Sequence, residues 1–439
     1  MDLIIGILLI ITYIGLAVYA AKGGNLMTGF FVMAVLWLGL CIVGGQISLT
    51  DGMTEILQKG PESWGATAVN VIFGSWFGKI LVDTGIASKL IKSVTELGGD
   101  DPLIVTLLLS LVTGIIFTAT FGAGAVVAIG VIVLPILLSL GVPKFLAVTA
   151  YLMSVGSGMY LNPVLFSQMQ AIFEDMTYSD QYISWAFAAM AVQLVVIGIM
   201  LFTYMKVFAS SRKRKRKAWG VDMNEVSDMD RVPWYALFTP IIPTFLSIAF
   251  KVPTIPAFIV GAVYGLATCK MIGRSWSEMS RIISSTFYEG VIDVASLLGF
   301  LFILPMFNKI SGIAAPFFDP ILGDILPTTT LGLAIAFMIM APLGLFRGPL
   351  TIFGAGAATV GVLNALGDFP TAFLFTLMYV PTIAMNLSAC PTQSWNLWAL
   401  NYSKVSVKDF MKTGLPWAWL ITAINLFLVF VFFGREEKI

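Results

Sequence analysis

The chain has 439 residues, room for about three soluble domains of ~150 residues each, yet 58% are hydrophobic, only 11% are charged and the mean hydropathy is +0.93. Soluble domains carry about 25% charged residues, so the composition excludes a soluble enzyme, a disordered chain and a nucleic-acid binder and marks a polytopic membrane protein. Lys plus Arg (25) against Asp plus Glu (24) leaves a net charge of +1, which gives no global field to steer a polyanion.

In chain order, apolar runs cover residues 3–20, 27–43, 66–82, 103–117, 123–140, 145–155 and 183–207. A second set covers 234–250, 255–269, 291–306, 331–345, 353–366, 372–385 and 417–433. The first run follows Asp2 with no basic segment ahead of it and reads as a retained membrane helix. A helix needs about 20 residues to cross the hydrocarbon layer, so the short runs interrupted by Gly and Pro predict broken or re-entrant helices. Residues 51–63 and 174–180 read as acidic-leaning loops on the side opposite the basic stretch at 210–232, and the amphipathic stretches 85–96 and 275–289 as helices lying along the membrane surface. Residues 210–232 are hydrophilic and carry an unbroken basic run from Arg212 to Lys217, which positive-inside bias places in the cytoplasm. The absence of histidine excludes imidazole chemistry, and Cys41, Cys269 and Cys390 lack paired spacing and read as small apolar fillers.

The string FGAGA occurs at Phe121 and again at Phe353, 232 residues on. Gly85-Ile86-Ala87 recurs as Gly312-Ile313-Ala314, and Asn162-Pro163 has its counterpart in Cys390-Pro391. The chain therefore divides into a first repeat (1–208), a basic connector (209–232) and a second repeat (233–439). An odd number of crossings in each gives them opposite orientation. The predicted fold class is all-α and polytopic, with two inverted-topology repeats, broken helices and re-entrant hairpins.

A broken helix exposes N–H groups at one end and carbonyls at the other, which can hold an anion and a cation near the membrane midplane. Gly122, Gly124, Gly156, Gly158, Gly354 and Gly356, with Pro163 and Pro391, supply the breaks; a glycine can equally serve close helix packing. Beside them stand Thr118, Thr120, Ser154, Ser157 and Asn162, and in the second half Asn386, Ser388, Thr392, Gln393 and Ser394. Such hydroxyls can bond their own helix, whereas the amides need other partners. Arg347, between two apolar runs with no acidic neighbour, is either a bidentate carboxylate clamp or a snorkelling residue at a span end. Glu289 and Asp293 share a helix face and either cap a first turn or couple an ion; Asp83 and Lys79 read as a helix pair. Proton coupling would run through Asp83, Glu289 or Asp293, and sodium would use oxygens near Asn162 and Asn386.

The segments GSWFGKILVDTGIASKLIKSV, FGAGAVVAIGVIVLPILL, LMSVGSGMYLNP and SACPTQSWNLWALNYSKVSVKDFMKTG resemble the gluconate:proton symporter family within the ion transporter superfamily. The resemblance implies uptake of an organic acid across a bacterial inner membrane, a helical hairpin in each repeat, a homodimer held by scaffold helices, and elevator-type movement of a transport domain. The chain departs from that family's pattern after Val155, where no histidine follows, and at Ala389-Cys390-Pro391, where the family has Asn-Asp-Pro. The acid and the ion, proton or sodium, are thereby left open. The sequence thus points to a secondary transporter for a small organic anion that needs no cofactor. The alternatives are a cation/proton exchanger using Glu289 or Asp293, and an intramembrane enzyme, which the lack of histidine and of a GxGD aspartate pair disfavours.

Overall fold

The computed structural model describes residues 2–22, 24–173, 175–209, 232–271, 275–322, 327–346, 348–353, 356–366 and 369–435. The basic run of the connector, Arg347 and Gly354 lie outside the described residues. Among the described residues every regular element is helical: the protein is an all-α polytopic membrane protein.

The first half runs through α1 (Asp2–Ala21), α2 (Leu26–Val43), α3 (Leu49–Asp83), α4 (Ile86–Gly98), α5 (Pro102–Phe117), α6 (Ala123–Ser139), α7 (Lys144–Met159), α8 (Pro163–Gln170) and α9 (Asp180–Ala209). The second half runs through α10 (Trp234–Ala249), α11 (Thr254–Thr268), α12 (Trp276–Ala314), α13 (Thr330–Gly344), α14 (Gly356–Leu366), α15 (Thr371–Leu387), α16 (Ser394–Ser403) and α17 (Val407–Gly434). Helix starts are written in the sequence. Asn25 caps α2, Ser48 caps α3, Asp101 followed by Pro102 caps α5, and Ser406 caps α17, each side chain accepting from a first-turn amide.

Two expectations are corrected. Residues 51–63 are not a loop: they are helical, with a π-turn at Gly52–Gln58, and lead into the rest of α3. The acids there serve helix-surface pairs, Glu55 with Lys59 at 2.7 Å and Glu62 with Gln58. Residues 275–289 do not form a separate surface helix but the first turns of the 39-residue α12, capped by Ser275 with Glu278 in its first turn. Glu289 and Asp293 consequently lie deep inside α12 and cap nothing.

The long helices pack in pairs, α3 on α12 and α9 on α17, while α2 packs on α12 and α11 on α3. After α3 come three short helices, α4 to α6, then a helix that breaks and resumes and a long terminal helix; after α12 a short Asp319–Leu322 helix, α13 and α14 precede the same last two. Helices α5 and α6 have 16 and 17 residues. At 1.5 Å per residue that is roughly 25 Å, short of the ~30 Å hydrocarbon layer.

The α3–α12 crossing is set by glycine. A Cβ on Gly290 would lie 2.9 Å from both the Cα and the N of Trp76. The approach lets Ser75 Oγ donate to the Gly290 carbonyl at 2.8 Å and Trp76 Nε1 to Thr286 Oγ1 at 3.0 Å. Gly290→Ala should push the backbones apart and cost about 1–3 kcal/mol, read as a lower unfolding temperature in detergent. Gly312→Ala, on the same helix with nothing within 4 Å of the added methyl, is the control and should leave that temperature unchanged.

Candidate functional site

The interruption between α7 and α8 is closed by side chains. Tyrosine hydroxyls meet the carbonyls freed at the end of α7: Tyr379 donates to Met159 O at 3.1 Å, Tyr182 to Tyr160 O at 2.7 Å and Tyr178 to Leu161 O at 2.7 Å. Asn162 caps α8, its Oδ1 accepting from the Val164 and Leu165 amides at 3.0 and 3.1 Å. Its Nδ2 donates to the carbonyls of Phe117 and Thr120, at 2.8 and 2.9 Å, in the link between α5 and α6. One fully buried amide therefore ties both interruptions of the first half together and spends all four of its hydrogen-bonding positions doing so. Thr120 and Ser157 donate to their own chain, at Ile116 O and Ser154 O. Gly158 is needed for packing: a Cβ there would overlap Gly114 O on α5.

The second half is closed less completely. α15 ends in a π-turn, Thr382–Leu387, that contains Asn386. Asn386 is fully buried, and neither its Nδ2 nor its Oδ1 has a hydrogen-bond partner among the described residues. Such wide turns recur at functional sites. Two residues on, Ser388 Oγ donates to Ile383 O at 2.8 Å and accepts from Gln193 Nε2 at 3.2 Å. The contact exists because Gly156 has no Cβ, which would otherwise overlap Ser388 Oγ. Cys390 Sγ accepts from the Phe346 amide at 3.1 Å, and Asn396 Nδ2 donates to Cys390 O at 2.9 Å.

Between the halves lies a cavity of about 480 Å³, within the range of small-molecule sites. Both FGAGA copies reach it, through Phe121 and Phe353; Thr392, Gln393 and Trp395 come from the second interruption, and residues 295–297, 299 and 300 of α12 line another side. Phe121 meets Trp395 edge to face, centroids 6.3 Å apart. No charged side chain lines this cavity among the described residues. Of the residues singled out from sequence, Thr392 and Gln393 line it and Gly122 follows Phe121 with φ +114°, a conformation only glycine adopts easily. Thr120, Gly124, Ser157, Gly158, Asn162, Gly356, Asn386 and Ser388 are not among its lining residues.

The charged candidates gather one to two turns before this stretch of α12. Lys79 bridges Asp83 at 3.3 Å and Glu289 at 2.6 Å, and Asp293 lies on the next turn after Glu289. A Cβ on Gly124 would overlap the Asp293 carboxylate, so this glycine admits the chain's own carboxylate to the first turn of α6. Favourable placement of an acid there is worth about 0.3–1 kcal/mol.

Two residues not singled out from sequence belong to the arrangement. Gln193 on α9 and Asn425 on α17 stand 232 residues apart, the same separation as the FGAGA copies. Gln193 reaches Ser388 in the second half, and Asn425 Nδ2 reaches Tyr160 Oη at 2.8 Å in the first. Each leaves its side-chain oxygen buried and unpartnered among the described residues. Extending the repeat alignment into the terminal helices would have found both.

Opposite outcomes are expected for the two asparagines. Asn162→Leu strands two carbonyls and two amides and should destabilise the fold at about 1–3 kcal/mol per buried group left unpaired. Asn386→Leu removes an unsatisfied amide and should keep or raise the unfolding temperature in detergent.

No family model and no curated protein matches the sequence. Among solved structures the chain is similar to the crystal structure of the YdaH transporter of Alcanivorax borkumensis, which is described as having an unusual topology. The TM-score is 0.60 at 15% identity over 93% of this chain and 98% of that one, a likeness of fold.

Proposed function

We propose that the protein is a secondary active transporter, a symporter, for a small organic anion, most simply a carboxylate, and not an enzyme. The observation that carries this reading is the cavity reached by both copies of the repeated FGAGA loop, in a polytopic chain that shares its fold with a transporter. The anion would sit between the halves, held by Thr392, Gln393 and amide groups of the interrupted backbone near Gly122 and Gly354, with Arg347 as counter-charge. The two repeats would be inverted about the connector, one part of the chain moving as an elevator against scaffold helices in a homodimer of a bacterial inner membrane.

The coupling ion, H+ or Na+, would act at the carboxylates of Asp83, Glu289 and Asp293, where three acids face one lysine. Asp293 and the cavity-lining Leu297 are four residues apart on α12, roughly 6 Å of rise. Two unit charges on the order of 10 Å apart at an effective dielectric of about 20 interact by about 1.7 kcal/mol. A cation on the cluster would therefore favour an anion in the cavity, and by linkage the reverse. For sodium the unpartnered side-chain oxygens of Asn386 and Gln193 would be further ligands, whereas Asn162 has none to spare. The same acidic cluster supports a second reading, cation/proton exchange without an organic substrate.

Counterflow in proteoliposomes with a panel of labelled carboxylates, in sodium and in sodium-free buffer, decides between them. Accumulation of one acid that depends on sodium or on a pH gradient is the expected result; cation-dependent proton flux with no acid accumulated would replace the symporter with the exchanger. Reporter fusions at Lys217 and after Ile439 should give opposite signals, with Lys217 cytoplasmic and both termini outside. Equal signals would sink the inverted arrangement.

A further inference from the structure

A second polar cavity, of about 310 Å³, lies toward the other end of α12. Its walls include Ser63 and Trp64 on α3, Asn308 and Lys309 on α12, and Gly361 and Asn364 on α14. Asn308 is eleven residues beyond Leu297, so this cavity is roughly 15 Å along the helix from the first one. The walls are held closely: a Cβ on Gly361 would come within 3.2 Å of the Ser311 carbonyl carbon, and Trp64 is buried. Neither Nδ2 nor Oδ1 of Asn308, both shielded from solvent, has a hydrogen-bond partner among the described residues. Lys309 has no acidic partner among them either.

An unpaired buried amide costs about 1–3 kcal/mol, so a site keeps one where something else completes it. Here an ammonium and an amide N–H stand on successive residues lining one cavity, while Asn308 Oδ1 remains to accept a hydrogen from a hydroxyl or ammonium. We infer that this cavity binds one oxyanion group, the carboxylate of a small hydroxy acid or the phosphate of a lipid headgroup, through Lys309 and Asn308. The site is separate from the cavity between the FGAGA copies and stands whether or not that cavity carries an anion.

The test uses the full chain with Asn364→Cys, reconstituted in phosphatidylcholine nanodiscs, with alkylation of the introduced thiol by a neutral maleimide read by peptide mass spectrometry. Sodium lactate should slow alkylation severalfold where sodium chloride does not, and a phosphatidylglycerol nanodisc without lactate tests the lipid source. Protection in either arm supports the site and names its source. Adding Lys309→Gln should raise the half-protecting lactate concentration or phosphatidylglycerol fraction roughly tenfold or more, the loss of one charge-assisted hydrogen bond. Lys309→Arg should retain protection. Ser63→Cys gives the same readout if the Asn364→Cys chain is not monodisperse. No protection in either arm, or protection indifferent to Lys309→Gln, overturns the inference, and neither result bears on counterflow through the first cavity.

Discussion

A backbone that stops being helical inside hydrocarbon must find partners for the groups it frees, because no water is there to take them. This constraint organises the molecule. The break between α7 and α8 meets it closely: Tyr178, Tyr182 and Tyr379 take the carbonyls at the end of α7, and Asn162 serves the start of α8 and the α5–α6 link at once. The hydroxyl of Tyr379 comes from the second half of the chain, so closing the first interruption also fixes how α15 lies against α7.

The halves are locked a second time by Gln193 and Asn425, each reaching from a terminal helix of its own half to a break in the other. Their equal spacing with Phe121 and Phe353 means that one repeated pattern places both the interlocking amides and the loops that bound the cavity. The cavity is thus the place where three chain interruptions converge, at Phe121, at Phe353 and at Thr392–Gln393, and its residues can be positioned only when the halves are docked.

Fold class was legible because composition and the length of apolar runs are averages over many residues. The long α3 and α12 were less legible: acids at 51–63 and polar residues at 275–289 imitate a loop and a surface helix, and only the pairing partners Lys59 and Gln58 and the glycine crossing at Gly290 explain why helix persists. The site was legible in part. Glycine positions named the interruptions, but a glycine does not reveal what it faces: Gly124 faces the Asp293 carboxylate, Gly156 faces Ser388 and Gly158 faces α5. Asn162, expected as a ligand because an amide needs partners, found them within the fold. Asn386, chosen by the same argument, did not.

The two breaks are closed differently. At the first, Tyr178 and Tyr182 of the first half and Tyr379 of the second give the carbonyls of Leu161, Tyr160 and Met159 fixed donors. Asn386 in the π-turn of the second, and Gln168 on α8, are each fully buried with an amide unpartnered among the described residues, a cost of about 1–3 kcal/mol apiece. The charges differ as well: Gly124 brings the start of α6 against the Asp293 carboxylate, while Thr392 and Gln393 of the second half line the cavity. Asn162 of the first half has no hydrogen-bonding position left, so the polar side chains facing the cavity near the breaks come from the second half.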